Sequence, residues 1–170
     1  MNPKKVLLTS VCRPFGTEYG DADSVGYELL HKQVTRAQGI FSPRAVQVQY
    51  SLEYIGANLE TPTVVLQYPS RRELIRELKK GYDYVGVSFI MALFHKMKDA
   101  VALIRKYSPQ SKIILGGYGT VLSDEVLAPF GDYFCREEGV TFFRRLLGET
   151  PIPKPYKHPM LVSDLKLFSI

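Results

Sequence analysis

Hydrophobic positions along this chain follow two rhythms. Short, nearly continuous apolar runs alternate with longer stretches in which apolar residues return every three or four positions. The runs are "KVLLTSV" (Lys5 to Val11), "TPTVVLQY" (Thr61 to Tyr68), "YDYVGVSFI" (Tyr82 to Ile90), "KIIL" (Lys112 to Leu115) and "DYFC" (Asp132 to Cys135). Each is bounded by turn chemistry, which predicts a buried strand. Between them, Val48, Leu52, Ile55 and Leu59 step by helical spacing after the start signal Ser42-Pro43. A second helix is predicted from Ser70, where Glu73 three residues on completes a capping box. Leu74, Ile75 and Leu78 form its inner stripe, and Gly81 ends it. Phe94, Met97, Val101 and Ile104 mark a third helix that stops near Ser108-Pro109. A short helix covers Ser123 to Phe130, with Ser123 or Asp124 as cap. A last one covers Val140 to Leu147, with Phe143, Leu146 and Leu147 inward.

Strands and helices therefore alternate. Alternation at these lengths implies a doubly wound α/β domain of three layers: one five-stranded parallel sheet with helices on both faces. The common order for five strands is 2-1-3-4-5, with right-handed crossovers. Such sheets bind ligands beyond the carboxyl ends of their strands, where the order reverses, here between strands one and three. The domain is expected over residues 1–149. Residues 12–41, rich in Gly, Pro and acids at their start, read as a long excursion after strand one, in which Val25 to Gly39 can form helix. The tail 150–170 opens with "TPIPKPYKHPM", four prolines in eleven residues, and reads as an extended linker leading towards a further domain.

The carboxyl-end loops then hold the candidate chemistry. Strand one leads into Cys12, Arg13, Pro14 and Phe15; strand three ends at Ser88, followed by Phe89, Ile90 and Met91. Strand four ends in "GGYGT", with Gly116, Gly117, Tyr118 and Gly119, and strand five leads to Glu137, Glu138 and Gly139. Three glycines in four positions either admit a flat or bulky ligand to bare backbone or permit a tight strand-to-helix turn. The Ser88 hydroxyl can donate to a ring nitrogen or phosphate, or cap the following turn. Glu137 and Glu138 can bind ligand hydroxyls or amides; at a helix N-terminus at least one of them suits the dipole instead.

Composition narrows the choice. The chain has 170 residues, net charge +5 and two cysteines. Its basic residues are dispersed, so solvated helix faces explain them and no nucleic-acid partner is expected. Two cysteines make no disulfide framework. With no signal-like or membrane-spanning run, a cytoplasmic, membrane-free protein is expected. The three histidines, His31, His95 and His158, lie apart, and no metal-ligand spacing occurs. Gly117-x-Gly119 does not follow strand one and lacks a third glycine, so it is no dinucleotide fingerprint. Thr9, Ser10 and Thr17 faintly match a flavodoxin phosphate loop, which Arg13 and Pro14 interrupt.

Three stretches together resemble the N-terminal cobalamin-binding-type domain of B12-dependent radical SAM enzymes. They are Val85-Gly86-Val87-Ser88, Leu115-Gly116-Gly117, and Glu137-Glu138-Gly139 before Thr141-Phe142, with "SPRAVQVQYSLEYIGANLE" similar to the family's first helix. The resemblance covers residues 43–148. It implies that Ser88, Gly116 and Gly117 line a groove for the lower base and nucleotide tail of a corrinoid. It also implies a radical SAM domain in cis, carrying a 4Fe-4S cluster and S-adenosylmethionine. Cys12 and Cys135 cannot supply the C-x-x-x-C-x-x-C that such a cluster needs, so those groups are expected only in a missing part of the parent enzyme. The loop after strand one lacks the D-x-H-x-x-G of cobalt-ligating relatives, as radical SAM members often do. The fragment alone is then expected to be an accessory domain without catalytic residues. The alternatives are a free-standing flavin- or nucleotide-binding flavodoxin-like protein and a receiver-type signalling domain. The latter needs acids after strand one, an aspartate ending strand three and a lysine ending strand five, where this chain has Cys12-Arg13, Ser88 and Arg136.

Overall fold

A computed structural model describes residues 4–12, 50–154 and 156–159. The excursion, the Ser42-Pro43 start, Val48, Arg13, Pro14, Phe15, Thr17, His31 and the tail from residue 160 lie outside the described residues. Within them run β1 (Val6–Ser10), α1 (Tyr50–Ala57), β2 (Thr63–Leu66), α2 (Arg71–Leu78), β3 (Tyr84–Ser88) and α3 (Phe94–Tyr107). These are followed by β4 (Lys112–Gly116), α4 (Asp124–Leu127), β5 (Tyr133–Phe134) and α5 (Gly139–Leu147). Short 3-10 turns at Met91–Leu93 and Tyr118–Val121 follow β3 and β4.

The five strands form one sheet in the order β2-β1-β3-β4-β5, and every pairing is parallel. The expected order and class are both present. Every residue of β1 is buried because helices cover both faces of a central parallel strand. The strand period then sorts side chains into two cores. Leu7, Val87, Ile113 and Leu115 face α2 and α3, meeting Leu74, Leu78, Met97 and Ile104. Val6, Leu8 and Ile114 face the opposite way, meeting Leu52 of α1 and Phe142 and Phe143 of α5.

Local signals place the helix ends. The Ser70 side chain accepts from the Glu73 N–H and Glu73 accepts from the Ser70 N–H, the reciprocal box expected there. Gly148, at φ +77°, closes α5 in the left-handed conformation that glycine adopts without a Cβ penalty. The helix after Ser123 is shorter than expected, four residues ending at Leu127, and Ser123 occupies its cap position without a side-chain cap bond. Residues 151–154 and 156–159 contain no helix, and this stretch lies against the domain. Tyr156 is buried, and Lys157 exchanges two backbone hydrogen bonds with the Asn58 side chain, at 2.7 Å each.

Candidate functional site

At the carboxyl end of the sheet the β3 and β4 loops zip together. The Phe89 N–H donates to the Gly116 carbonyl at 3.1 Å, and the Gly119 N–H donates to the Phe89 carbonyl at 2.9 Å. This pairing accounts for two of the three glycines. A Cβ on Gly119 would lie 2.1 Å from the Phe89 ring. A Cβ on Gly117 would lie 2.6 Å from the Phe89 carbonyl oxygen, and its φ of +84° with ψ −175° belongs to a region almost reserved for glycine. Both are bare so that the neighbouring loop can approach. Gly116 differs: a Cβ there would meet only the Cys135 Cβ, at an ordinary 3.8 Å.

The bare side of Gly116 opens on a slot of about 210 Å³ between the sheet and the α1–α5 layer. Ser51, Leu52 and Ile55 of α1 form one wall, and Gly139 and Phe143 of α5 the other. Leu8, Gly86 and Ile114 pave its floor. Gly86 is bare for Leu8 and Phe143, whose Cδ2 and Cζ would lie 2.9 and 3.1 Å from an added Cβ, and Gly139 is bare for Ile55, whose Cδ1 would lie 2.4 Å away. Glycines in the floor and wall thus let neighbouring large side chains close the slot tightly. The lining is mainly apolar, which suits a flat ring system.

Outside the slot lies an open groove of about 680 Å³, lined by Phe89, Ile90, Tyr118, Thr120, Val121 and Arg136. Ser51, Ser88, Gly117, Cys135 and Glu137 line both spaces and form a polar collar where they join. Tyr118 and Val121 at the groove, and Met91 on the same loop layer, are exposed. The sheet's reversal point, between β1 and β3, is where a ligand crevice is expected; among the described residues a small space of about 30 Å³ lies there, beside Tyr68, Phe89 and Leu93. The slot runs from Leu8 of β1 past Gly86 and Ser88 of β3 to Gly116 of β4.

The two glutamates divide their roles. Glu138 caps α5, accepting from the Val140 and Thr141 N–H groups at 2.8 Å each. Burial opposes its charge, but those hydrogen bonds outweigh it and hold the carboxyl below its ordinary range. Glu137 turns to the collar and is held by the Arg145 guanidinium. Arg136 ties the loops together, donating to the Thr120 and Leu122 carbonyls at 2.7 and 2.9 Å and pairing with Asp124 at 2.6 Å.

Among the sequence-predicted residues, Ser88, Phe89, Ile90, Gly117, Tyr118 and Glu137 border the groove, and Gly116 and Gly139 border the slot. Gly119 lies beneath the Phe89 ring, and Glu138 is spent on the helix cap. Met91 is exposed but lines neither space. Cys12 packs against the α2–α3 core rather than the slot. Sequence reasoning did not select Ser51, Ile55, Gly86, Cys135 or Phe143. A glycine within a strand (Gly86) and two side chains one helical turn apart (Ser51 and Ile55) were the signals available. Burial pushes both thiols up to about 11. No group of three or more His, Cys, Asp and Glu side chains suited to a metal ion occurs among the described residues.

No protein-family model matches the sequence, and no curated protein matches it. What the fold and site define is therefore a class: a doubly wound, all-parallel α/β domain of flavodoxin-like strand order. It carries an apolar slot beneath a polar collar. None of the helices among the described residues is long and apolar enough to cross a membrane.

Proposed function

We propose that this domain holds a cobalamin-type corrinoid, as the accessory domain of a radical SAM enzyme. The observation that carries the reading is Gly116. Its missing side chain faces an apolar slot that Ser88 also borders, and an added Cβ would meet only the Cys135 Cβ at an ordinary 3.8 Å. The donor set fits the group's nucleotide tail: an apolar slot for a heterocyclic base, with the hydroxyls of Ser51 and Ser88 and the Glu137 carboxylate at the collar for polar atoms beyond it. The apolar groove edge at Phe89, Ile90, Tyr118 and Val121 suits the flank of a macrocycle. The described loops at this end contribute no histidine, so these loops would hold the group by shape and hydrogen bonds rather than through cobalt. A bound corrinoid would supply the methyl-carrying or radical-tuning chemistry; the protein's part is to bind, orient and shield it. The cluster and S-adenosylmethionine belong, on this reading, to another part of the parent enzyme.

The test is reconstitution with hydroxocobalamin followed by gel filtration. Corrin absorbance is expected to travel with the protein and to be lost in Gly116→Leu, whose side chain fills the slot while the circular dichroism spectrum stays unchanged. Folded protein that elutes without corrin absorbance would sink the proposal. Retention of riboflavin 5′-phosphate instead would move the reading to the flavodoxin-like alternative.

A further inference from the structure

The two helices that wall the slot are bridged by residues 149–154 and 156–158. The root of this strap is tied down by a buried ion pair. Arg144 of α5, its side chain 5% exposed, pairs with Glu149, 7% exposed, at 3.1 Å. It also donates to the Asn58 carbonyl at 2.8 Å and the Thr150 carbonyl at 2.7 Å. Further along, Asn58, just past the end of α1, holds Lys157 by its N–H and its carbonyl together. The Asn58 amide also donates to the Tyr54 carbonyl at 2.8 Å, which fixes its orientation. The Tyr156 ring packs on Tyr54 of α1 at 5.9 Å between centroids, and His158 packs on the same ring at 5.0 Å. The Tyr156 hydroxyl meets the Thr141 hydroxyl of α5 at 3.0 Å. Thr141 donates to Glu138 at 2.8 Å, and the Tyr156 hydroxyl also hydrogen-bonds the Glu138 carboxylate, so three side chains join at the first turn of α5.

Tyr156 therefore touches α1 with its ring and the first turn of α5 with its hydroxyl. Between the same two helices Ile55 abuts Gly139, and both residues line the slot. We infer that Tyr156 and Asn58 are positioning residues that set the width of the slot: the strap clamps α1 to α5, so that strap docking and slot occupancy are thermodynamically coupled. This inference rests on the slot being the binding site, but not on which ligand fills it. If closing the strap tightens the slot, a ligand in the slot must by reciprocity tighten the strap. Residues 156–158 thereby report slot occupancy.

Cys135 borders the slot and supplies a readout that needs no ligand. In a Cys12→Ser background, labelling of Cys135 by a thiol reagent at pH 9 is expected to quicken about fivefold in Tyr156→Phe, the loss of one net hydrogen bond. In Tyr156→Ala, which also removes the ring, it is expected to quicken tenfold or more. Wild-type labelling rates in a folded Tyr156→Phe protein would overturn the inference, and this milder variant decides the matter if Tyr156→Ala does not fold. The reciprocal arm is amide exchange at Lys157, whose N–H sits on Asn58. Hydroxocobalamin is expected to slow it, and unchanged exchange at saturating corrinoid would also overturn the coupling. Faster Cys135 labelling in a protein that binds no hydroxocobalamin would leave the clamp standing and sink only the cofactor proposal.

Discussion

Gly116 and Gly117 are neighbours, and the geometry predicts opposite outcomes when each becomes alanine. At Gly117 the backbone sits at φ +84° and ψ −175°. A residue with a side chain is forced there at a cost of roughly 1–3 kcal/mol. Its Cβ would also lie 2.6 Å from the Phe89 carbonyl oxygen, which is backbone and itself accepts from Gly119. That contact cannot relax without opening the zipper between the β3 and β4 loops. A total loss of about 3 kcal/mol or more follows, or roughly 6–12 °C in Tm for a domain of this size. At Gly116 the added methyl meets only the Cys135 Cβ at 3.8 Å. The substitution removes unfolded-state freedom without strain, so stability is expected to stay level or rise by up to about 1 kcal/mol. Urea and thermal unfolding of both variants measure the contrast. Comparable destabilisation by the two would refute the reasoning, because Gly116 would then be bare for the protein's own packing and not for the slot.

Three further outcomes are expected. Ser70→Ala removes the cap bond to Glu73 and is expected to cost about 1 kcal/mol in urea unfolding. Glu149 opposes the penalty of burial with hydrogen bonds from the Glu60 and Thr61 N–H groups and the Thr61 hydroxyl, and with the Arg144 charge, which hold its carboxyl below the ordinary range. Its stabilising effect is present above the unfolded-state pKa of about 4.3 and is lost as pH falls through the lower folded value. Glu149→Ala should therefore flatten the acid limb of the stability curve. It should also cost about 3 kcal/mol at neutral pH, because among the described residues the buried Arg144 then keeps Glu60 alone as a charged partner. Finally, both thiols sit at about 11 against an ordinary 9.0, so alkylation at pH 7.5 should run about a hundredfold slower than for a free cysteine and rise with pH. Rapid labelling at neutral pH would contradict their burial.

What was legible in the sequence was what short-range physics decides. The apolar runs that became β1, β3 and β4 owe their burial to a parallel sheet covered on both faces, and such strands must read as continuous hydrophobic stretches, whereas β2 and β5 at the edges stay partly exposed. The capping box at Ser70 and Glu73 spans three residues and needs no tertiary partner. Ser88, Gly116 and Glu137 could be marked as candidates because chain order alone puts strand ends on one side of a doubly wound sheet. Which glycine serves the slot could not be read this way. Gly117 and Gly119 are bare because Phe89, some thirty residues earlier, lies against them, and Gly86 is bare for Leu8 on the neighbouring strand and Phe143 on another layer. Glu137 and Glu138 are adjacent and chemically alike, yet one caps a helix and the other faces the collar, a division set by where the chain turns into α5. The bond between Asn58 and Lys157 joins residues 99 positions apart. Periodicity and caps act within a few residues and leave their pattern in the chain; cavities and clamps arise only where faces from distant segments meet, so the tertiary structure alone decided them.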